Sequence, residues 1–170
     1  MRRITAETIR RMHDLAKKAK TNWDWISLNS FIIRNLPSKV YFREARRIFE
    51  VWHALIWRAN FLRYVRDPNG VELVTSVWHI LDRGMGDCDD FSVLIASAVG
   101  TQGFPYRFKT IAANPERPDV PNHVYVEVNV AMDRDREHWV PMDLTVKSAG
   151  FGWEPRDGEL PSQVYPEPRY

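Results

Sequence analysis

A single cysteine, Cys88, stands between a glycine-bearing stretch, Arg83 to Asp87, and an apolar run from Phe91 to Val99. If the apolar run is a helix, Cys88 lies at its N-terminus. Backbone N–H groups there lack intrahelical partners, and the helix dipole favours an anion. A thiolate is such an anion, so the thiol pKa should fall. The same N–H groups can receive the oxyanion of a tetrahedral intermediate, and Gly86 leaves room for a substrate to approach the sulfur. A thiolate also needs a proton shuttle. His123 opens an alternating segment after a proline-rich loop, and Asp143 lies in the next such segment. If the two segments pair, imidazole and carboxylate are neighbours across the ladder. A carboxylate so placed fixes the tautomer of a histidine base. Cys88, His123 and Asp143 are therefore the candidate catalytic residues. Asp87, Asp89 and Asp90 surround the cysteine. Uncompensated carboxylates would raise its pKa; at a helix start they are favoured by the dipole, and they could also meet a substrate amine.

The elements that must hold these groups follow from periodicity and punctuation. Ile4 to Lys20 reads as a helix with Ile4, Thr8, Met12 and Leu15 near one stripe. Asn22 to Asn35 is too apolar for a free linker and should pack on the domain. Ser38, after Pro37, is a candidate cap for a helix reaching about Tyr64, with Phe42, Ala45, Phe49, Trp52, Ile56 and Ala59 at helical steps. Asp67-Pro68 and Asn69-Gly70 mark a turn, and Glu72 to Leu81 reads as a short helix. The helix after Cys88 should end at Gly100 and Gly103, with Pro105 excluding its continuation. Tyr106 to Ala112 reads as a strand. His123 to Val130 alternates as a half-buried strand, with Val124, Val126 and Val128 on one side and His123, Tyr125, Glu127 and Asn129 on the other. After a charged turn from Asp133 to Glu137, Trp139 to Leu144 is a third strand. Helices followed by an antiparallel meander predict an α+β layer architecture. The expected division is a single domain over 1–147 and a Pro/Gly-rich arm over 148–170 carrying Phe151, Trp153 and Tyr165.

Three blocks of this sequence resemble the transglutaminase-like superfamily. The first is Gly86-Asp87-Cys88-Asp89-Asp90-Phe91-Ser92-Val93-Leu94 with Gly103-Phe104-Pro105-Tyr106-Arg107. The second is Asn122-His123-Val124-Tyr125-Val126-Glu127-Val128, and the third is Trp139-Val140-Pro141-Met142-Asp143-Leu144-Thr145. They occur in the family's order. The resemblance implies a papain-like fold in which a Cys-bearing helix packs on an antiparallel sheet that supplies His and Asp. It implies thiol attack on a carboxamide of a protein or peptide, with the acyl group passing to water or to an amine. It requires no metal and no organic cofactor. Gly86, Asp87, Asp89, Trp78 and Asn122 are the candidate substrate-binding positions; Trp78 precedes the nucleophile, where related enzymes place a donor for the oxyanion. The Asp87-Cys88-Asp89-Asp90 cluster also resembles small bacterial and phage members, some of them virion-associated.

The totals agree with one folded domain. The chain has 170 residues, 44% of them hydrophobic and 27% charged, with seven Trp and eight Phe for an aromatic-rich core. The net charge of +2 is mild. Arg2, Arg3, Arg10 and Arg11 read as a solvated helix face, and no nucleic-acid motif accompanies them. One cysteine allows no internal disulfide, no apolar run is long enough to span a membrane, and the basic start lacks a signal peptide's apolar stretch. These features predict a cytoplasmic protein, in a bacterial host or associated with a virion. His13, His53, His79 and His138 read as helix or surface residues. The competing reading is a non-catalytic virion or scaffold assembly module that keeps the fold.

Overall fold

The computed structural model of the protein describes residues 3–35, 44–68, 73–131, 136–155 and 160–168. The expected cap at Ser38, with Pro37 and Phe42, lies outside the described residues. So do Arg2, Asn69-Gly70, the helix start at Glu72 and the turn residue Asp133.

Among the described residues four helices precede the cysteine. Helix α1 (Ala6–Lys20) opens on a reciprocal capping box in which Thr5 and Thr8 each accept from the other's backbone N–H. Helix α2 (Trp23–Asn35) turns the expected apolar segment into a helix that buries Trp25, Asn29 and Ile33. Helix α3 (Glu44–Trp57) ends well short of Tyr64. Ala59 N–H reaches back to the Ala54 carbonyl, and Asn60 takes a left-handed φ of 50°. The chain then leaves the helix for a two-residue strand, β1 (Arg63–Tyr64). Helix α4 (Val77–Arg83) starts later than the spacing predicts. Ser76 caps it, and Gly84 closes it in the left-handed conformation that glycine adopts without strain (φ 64°). Strand β2 (Met85–Gly86) then pairs with β1 in parallel, Tyr64 against Gly86.

Helix α5 (Cys88–Thr101) is the centre of the molecule. Every residue from Cys88 to Val99 is buried. A helix buried around its whole circumference needs cover on all sides, and the other elements provide it. Asn29 of α2 donates to the Ala98 carbonyl (3.1 Å) and to Thr101 Oγ1 (2.7 Å), while Trp52 of α3 donates to Asn29 Oδ1. Trp25 stacks on Trp52 with ring centroids 5.7 Å apart.

On the opposite side lies an antiparallel sheet of β3 (Tyr106–Ile111), β4 (His123–Asn129), β5 (Trp139–Met142) and β6 (Ser162–Pro166), in the order β5-β4-β3-β6. The α+β, papain-like expectation therefore describes the fold. Two details differ. Strand β6 adds a fourth strand from the Gly/Pro-rich C-terminal stretch, pairing Tyr165 with Phe108. And β4 is buried on both faces, not half-buried. Val124, Val126 and Val128 face the core. Tyr125 and Glu127, on the other face, are covered by a polar network: Glu127 pairs with Arg107 (2.6 Å) and Lys109 (3.3 Å), and Glu154 pairs with both Lys109 and Tyr125. Buried polar groups are tolerated where they are matched in this way. Among the described residues no helix is long and apolar enough to cross a membrane.

Candidate active site

Cys88 is the first residue of α5, and Asp87 precedes it in extended conformation without a side-chain cap bond to the helix. The first-turn N–H groups are therefore not capped by that side chain, which leaves the helix end suited to an anion. The Ser92 hydroxyl lies 2.6 Å from the Cys88 carbonyl and 3.1 Å from that of Val124, linking the first turn of α5 to the strand that begins with His123.

His123 Nε2 donates to Asp143 Oδ2 at 2.8 Å. The Cys88 side chain is within hydrogen-bonding contact of the same imidazole. With Nε2 engaged by the carboxylate, Nδ1 is the ring nitrogen left for the sulfur. Burial disfavours the imidazolium, but the Asp143 carboxylate and the Cys88 sulfur outweigh it and raise the His123 pKa to about 10. Asp143 is 1% exposed. Burial pushes its pKa upward, and the bonds from His123 and Thr145 more than reverse this, holding the carboxyl below its ordinary value.

His123 and Asp143 are neighbours across the ladder as diagonal rather than directly opposed residues. The last ladder pair of β4 and β5 is Val126 with Met142. Continuing that register sets Asp143 against Tyr125, so His123 reaches its carboxylate diagonally. The strand has by then given way to a turn in which Asp143 Oδ1 accepts from Thr145 N (2.9 Å) and Thr145 Oγ1 (2.6 Å). Helix α3 anchors this turn. Trp57 Nε1 donates to the Leu144 carbonyl (2.9 Å), and His53 Nε2 donates to that of Val146 (3.0 Å). The sequence marks His53 only as a helix or surface residue and does not distinguish Trp57 from the other tryptophans of an aromatic-rich core. Nothing in their spacing announces contacts across such a sequence separation.

A cavity of about 570 Å³ opens onto Cys88, His123 and Asp143. That volume suits a bound small molecule or a short stretch of chain. Asn122 lines it, with its Oδ1 accepting from Ala113 N. Gly86, Asp87, Asp89 and Trp78 do not line it. The space at Gly86 is taken by packing: a Cβ there would lie 2.8 Å from Asp90 Cβ. Asp87 and Asp89 are 1% and 0% exposed. Trp78 packs edge-on against Trp25 and is exposed. Asp90 Oδ1 accepts from Thr75 N and Oγ1, and burial lifts its pKa to about 6. Tyr64, expected only as a helix end, Trp153, expected only as an arm aromatic, and Arg66, which no sequence signal marks, all line the cavity. Trp153 comes from the C-terminal stretch, where Glu154 ties it to the sheet through Lys109 and Tyr125.

Donor atoms of Asp87, Cys88 and Asp89 lie within 4.8 Å of one another. These are three consecutive buried positions, and the sulfur already faces His123. Thiol acyl transfer needs no ion.

A model of the transglutaminase-like superfamily matches residues 44–144, more than half of the chain. The chain belongs to that superfamily. The matched span of this transglutaminase-like chain runs from α3 to just beyond Asp143, and so includes all three candidate catalytic residues. Among solved structures, a Cytophaga hutchinsonii protein described as a "putative cysteine protease" aligns with a TM-score of 0.50 and 15% identity, over 96% of this chain and 52% of its own. The transglutaminase-like chain thus spans about half of that protein's length. A Parabacteroides distasonis protein described as a "putative protease" aligns with a TM-score of 0.48 and 13% identity, over 72% of this chain and 25% of its own. At such identities the likeness concerns the fold. No curated protein sequence matches the chain.

Proposed function

We propose that the protein is a cysteine-dependent acyl-transfer enzyme acting on a carboxamide of a protein or peptide. The observation that carries this reading is the position of His123, which bonds Asp143 through Nε2 and meets Cys88 with its other edge, at the floor of an open cavity. Cys88 is the nucleophile, His123 the proton shuttle, and Asp143 the group that fixes the imidazole tautomer.

With its pKa near 10, His123 already carries the proton given up by the Cys88 thiol, and in the forward step the thiolate attacks the carboxamide carbon. Negative charge develops on the carbonyl oxygen near the N–H groups opening α5, which stabilise it. The imidazolium then protonates the leaving nitrogen as the C–N bond breaks, and a thioester on Cys88 remains. In the second half His123 takes a proton from the acceptor, which attacks the thioester and restores the thiol. Water as acceptor gives a protease or amidase; an amine gives transglutamination. Hydrolysis is the favoured outcome because water needs no site of its own.

Incubation with a peptide library, with and without a primary amine, distinguishes these products by mass: chain cleavage, conversion of amide to acid, or gain of the amine. Cys88→Ala should abolish every one of them. The reading fails if iodoacetamide labels Cys88 in the wild type no faster than it labels a free peptide thiol and if no product forms.

A further inference from the structure

The β1 segment leads a cation to the cavity onto which Cys88 opens. Arg63 and Val65 direct their N–H groups to the carbonyls of Gly84 and Gly86 (both 2.9 Å), which fixes the segment as extended chain parallel to β2. In extended chain, alternate side chains share a side, and Tyr64 and Arg66 both line the cavity. The register pairs Tyr64 with Gly86, two residues before Cys88, and the cavity that Arg66 lines also opens onto Cys88.

Among the described residues the charged groups lining this cavity are Arg66, Asp67, His123 and Asp143. Asp143 and His123 hold each other. Asp67 Oδ2 accepts from Leu73 N at 2.7 Å. Among the described residues Arg66 has no carboxylate partner, and its side chain is exposed at the cavity. A guanidinium offers a planar fork of donors that fits a carboxylate by two parallel bonds. The wall also carries apolar and aromatic groups, among them Tyr64, Ile111 and Trp153.

We propose that Arg66 is a specificity-determining residue, and that the preferred substrate carries a carboxylate close to the attacked carboxamide. This rests on the acyl-transfer reading and names its substrate class. Two sources supply such a carboxylate: an Asp or Glu side chain next to the attacked bond, or the free C-terminus of a peptide.

Chloroacetyl peptides test the proposal on the full chain, with labelling of Cys88 followed by intact mass. One set carries Asp, Asn or Lys beside the reactive group; a second compares chloroacetyl-glycine with its amide. The acidic member of at least one set should label the wild type about tenfold faster than its neutral isostere, a difference of about 1.4 kcal/mol. The set that shows the preference identifies the source. Arg66→Gln should bring that ratio close to one, Arg66→Glu should invert it in favour of Lys, and Arg66→Lys should retain a reduced preference. Each ratio is taken within one variant, so a general loss of reactivity cancels. Ratios near one in the wild type, or an acidic preference that survives Arg66→Gln, would overturn the proposal. Fast iodoacetamide labelling alongside flat ratios would refute the role of Arg66 alone; slow labelling of the wild type by every reagent would refute the enzyme reading with it.

Discussion

Replacing Gly86 by alanine puts a methyl group where there is no space. Its Cβ would lie 2.8 Å from Asp90 Cβ and 3.3 Å from the Phe91 ring. Neither neighbour is the loose end of a flexible chain: Asp90 is bonded to Thr75 and Phe91 is buried in the core. The strand β2 and the first turn of α5 must therefore separate. Forcing a methyl group into a packed core costs about 1–3 kcal/mol. Alanine also restricts the unfolded chain, which returns about 0.4–1 kcal/mol. The net expectation is a loss of about 1–2 kcal/mol, or a melting temperature roughly 2–8 °C lower for a chain of this size. Because Cys88 is the first residue of the displaced turn, its contact with His123 should loosen as well, and alkylation by iodoacetamide should slow by about tenfold or more. Urea unfolding and the alkylation rate measure the two effects. Gly150→Ala is the control, since a Cβ there meets nothing within 4 Å; it should stay within about 0.5 kcal/mol of the wild type. A Gly86→Ala protein as stable and as reactive as the wild type would refute the packing argument.

Three further outcomes are expected. Asp143→Asn turns an acceptor into a donor opposite His123 Nε2, so the proton is driven to Nδ1, where it cannot receive the thiol proton; alkylation of Cys88 at neutral pH should fall by about 100-fold or more, and an unchanged pH–rate profile would count against the assigned roles. Asp90 has a folded pKa of about 6, above its ordinary 3.8, so the folded state holds the proton more tightly than the unfolded chain. Its favourable contribution is complete below about pH 4 and is lost as pH rises through about 6, a change of about 3 kcal/mol; the stability of the wild type relative to Asp90→Asn should fall by that order between pH 4 and 7 in urea unfolding, and a constant difference would contradict it. Trp57→Phe keeps an aromatic side chain but removes the Nε1 donor that bonds the Leu144 carbonyl; a loss of about 1 kcal/mol is expected in urea, with slower Cys88 alkylation as the Asp143 turn relaxes, and an unaltered protein would show that α3 does not position that turn.

The sequence itself was enough for the elements whose pattern is local. The apolar run after Cys88, the valine alternation after His123 and the Gly100–Pro105 stop each report a nearby physical constraint, and helix α5 and strand β4 formed where those signals lie. Three ordered blocks also placed the chain in its superfamily, and the structure brings Cys88, His123 and Asp143 to one cavity. Local signals were weaker elsewhere. The end of α3 and the start of α4 shifted because β1 and β2, two residues each, carry no pattern of their own and exist only by pairing with one another.

What the tertiary structure decided is which side chains surround the sulfur. Asp87 and Asp89 are neighbours of Cys88 in sequence, yet a helix start buried on all sides turns them into the interior. Arg66 and Trp153 are distant in sequence, yet a parallel strand pair and a tethered C-terminal stretch bring them to the cavity. The proline-rich C-terminal stretch shows no alternation because β6 is an exposed edge strand whose backbone, not its side chains, joins the sheet. Side-chain pattern records what a segment buries against its own element; which remote groups meet across a cavity depends on how the layers close, and that is written in no single stretch of the chain.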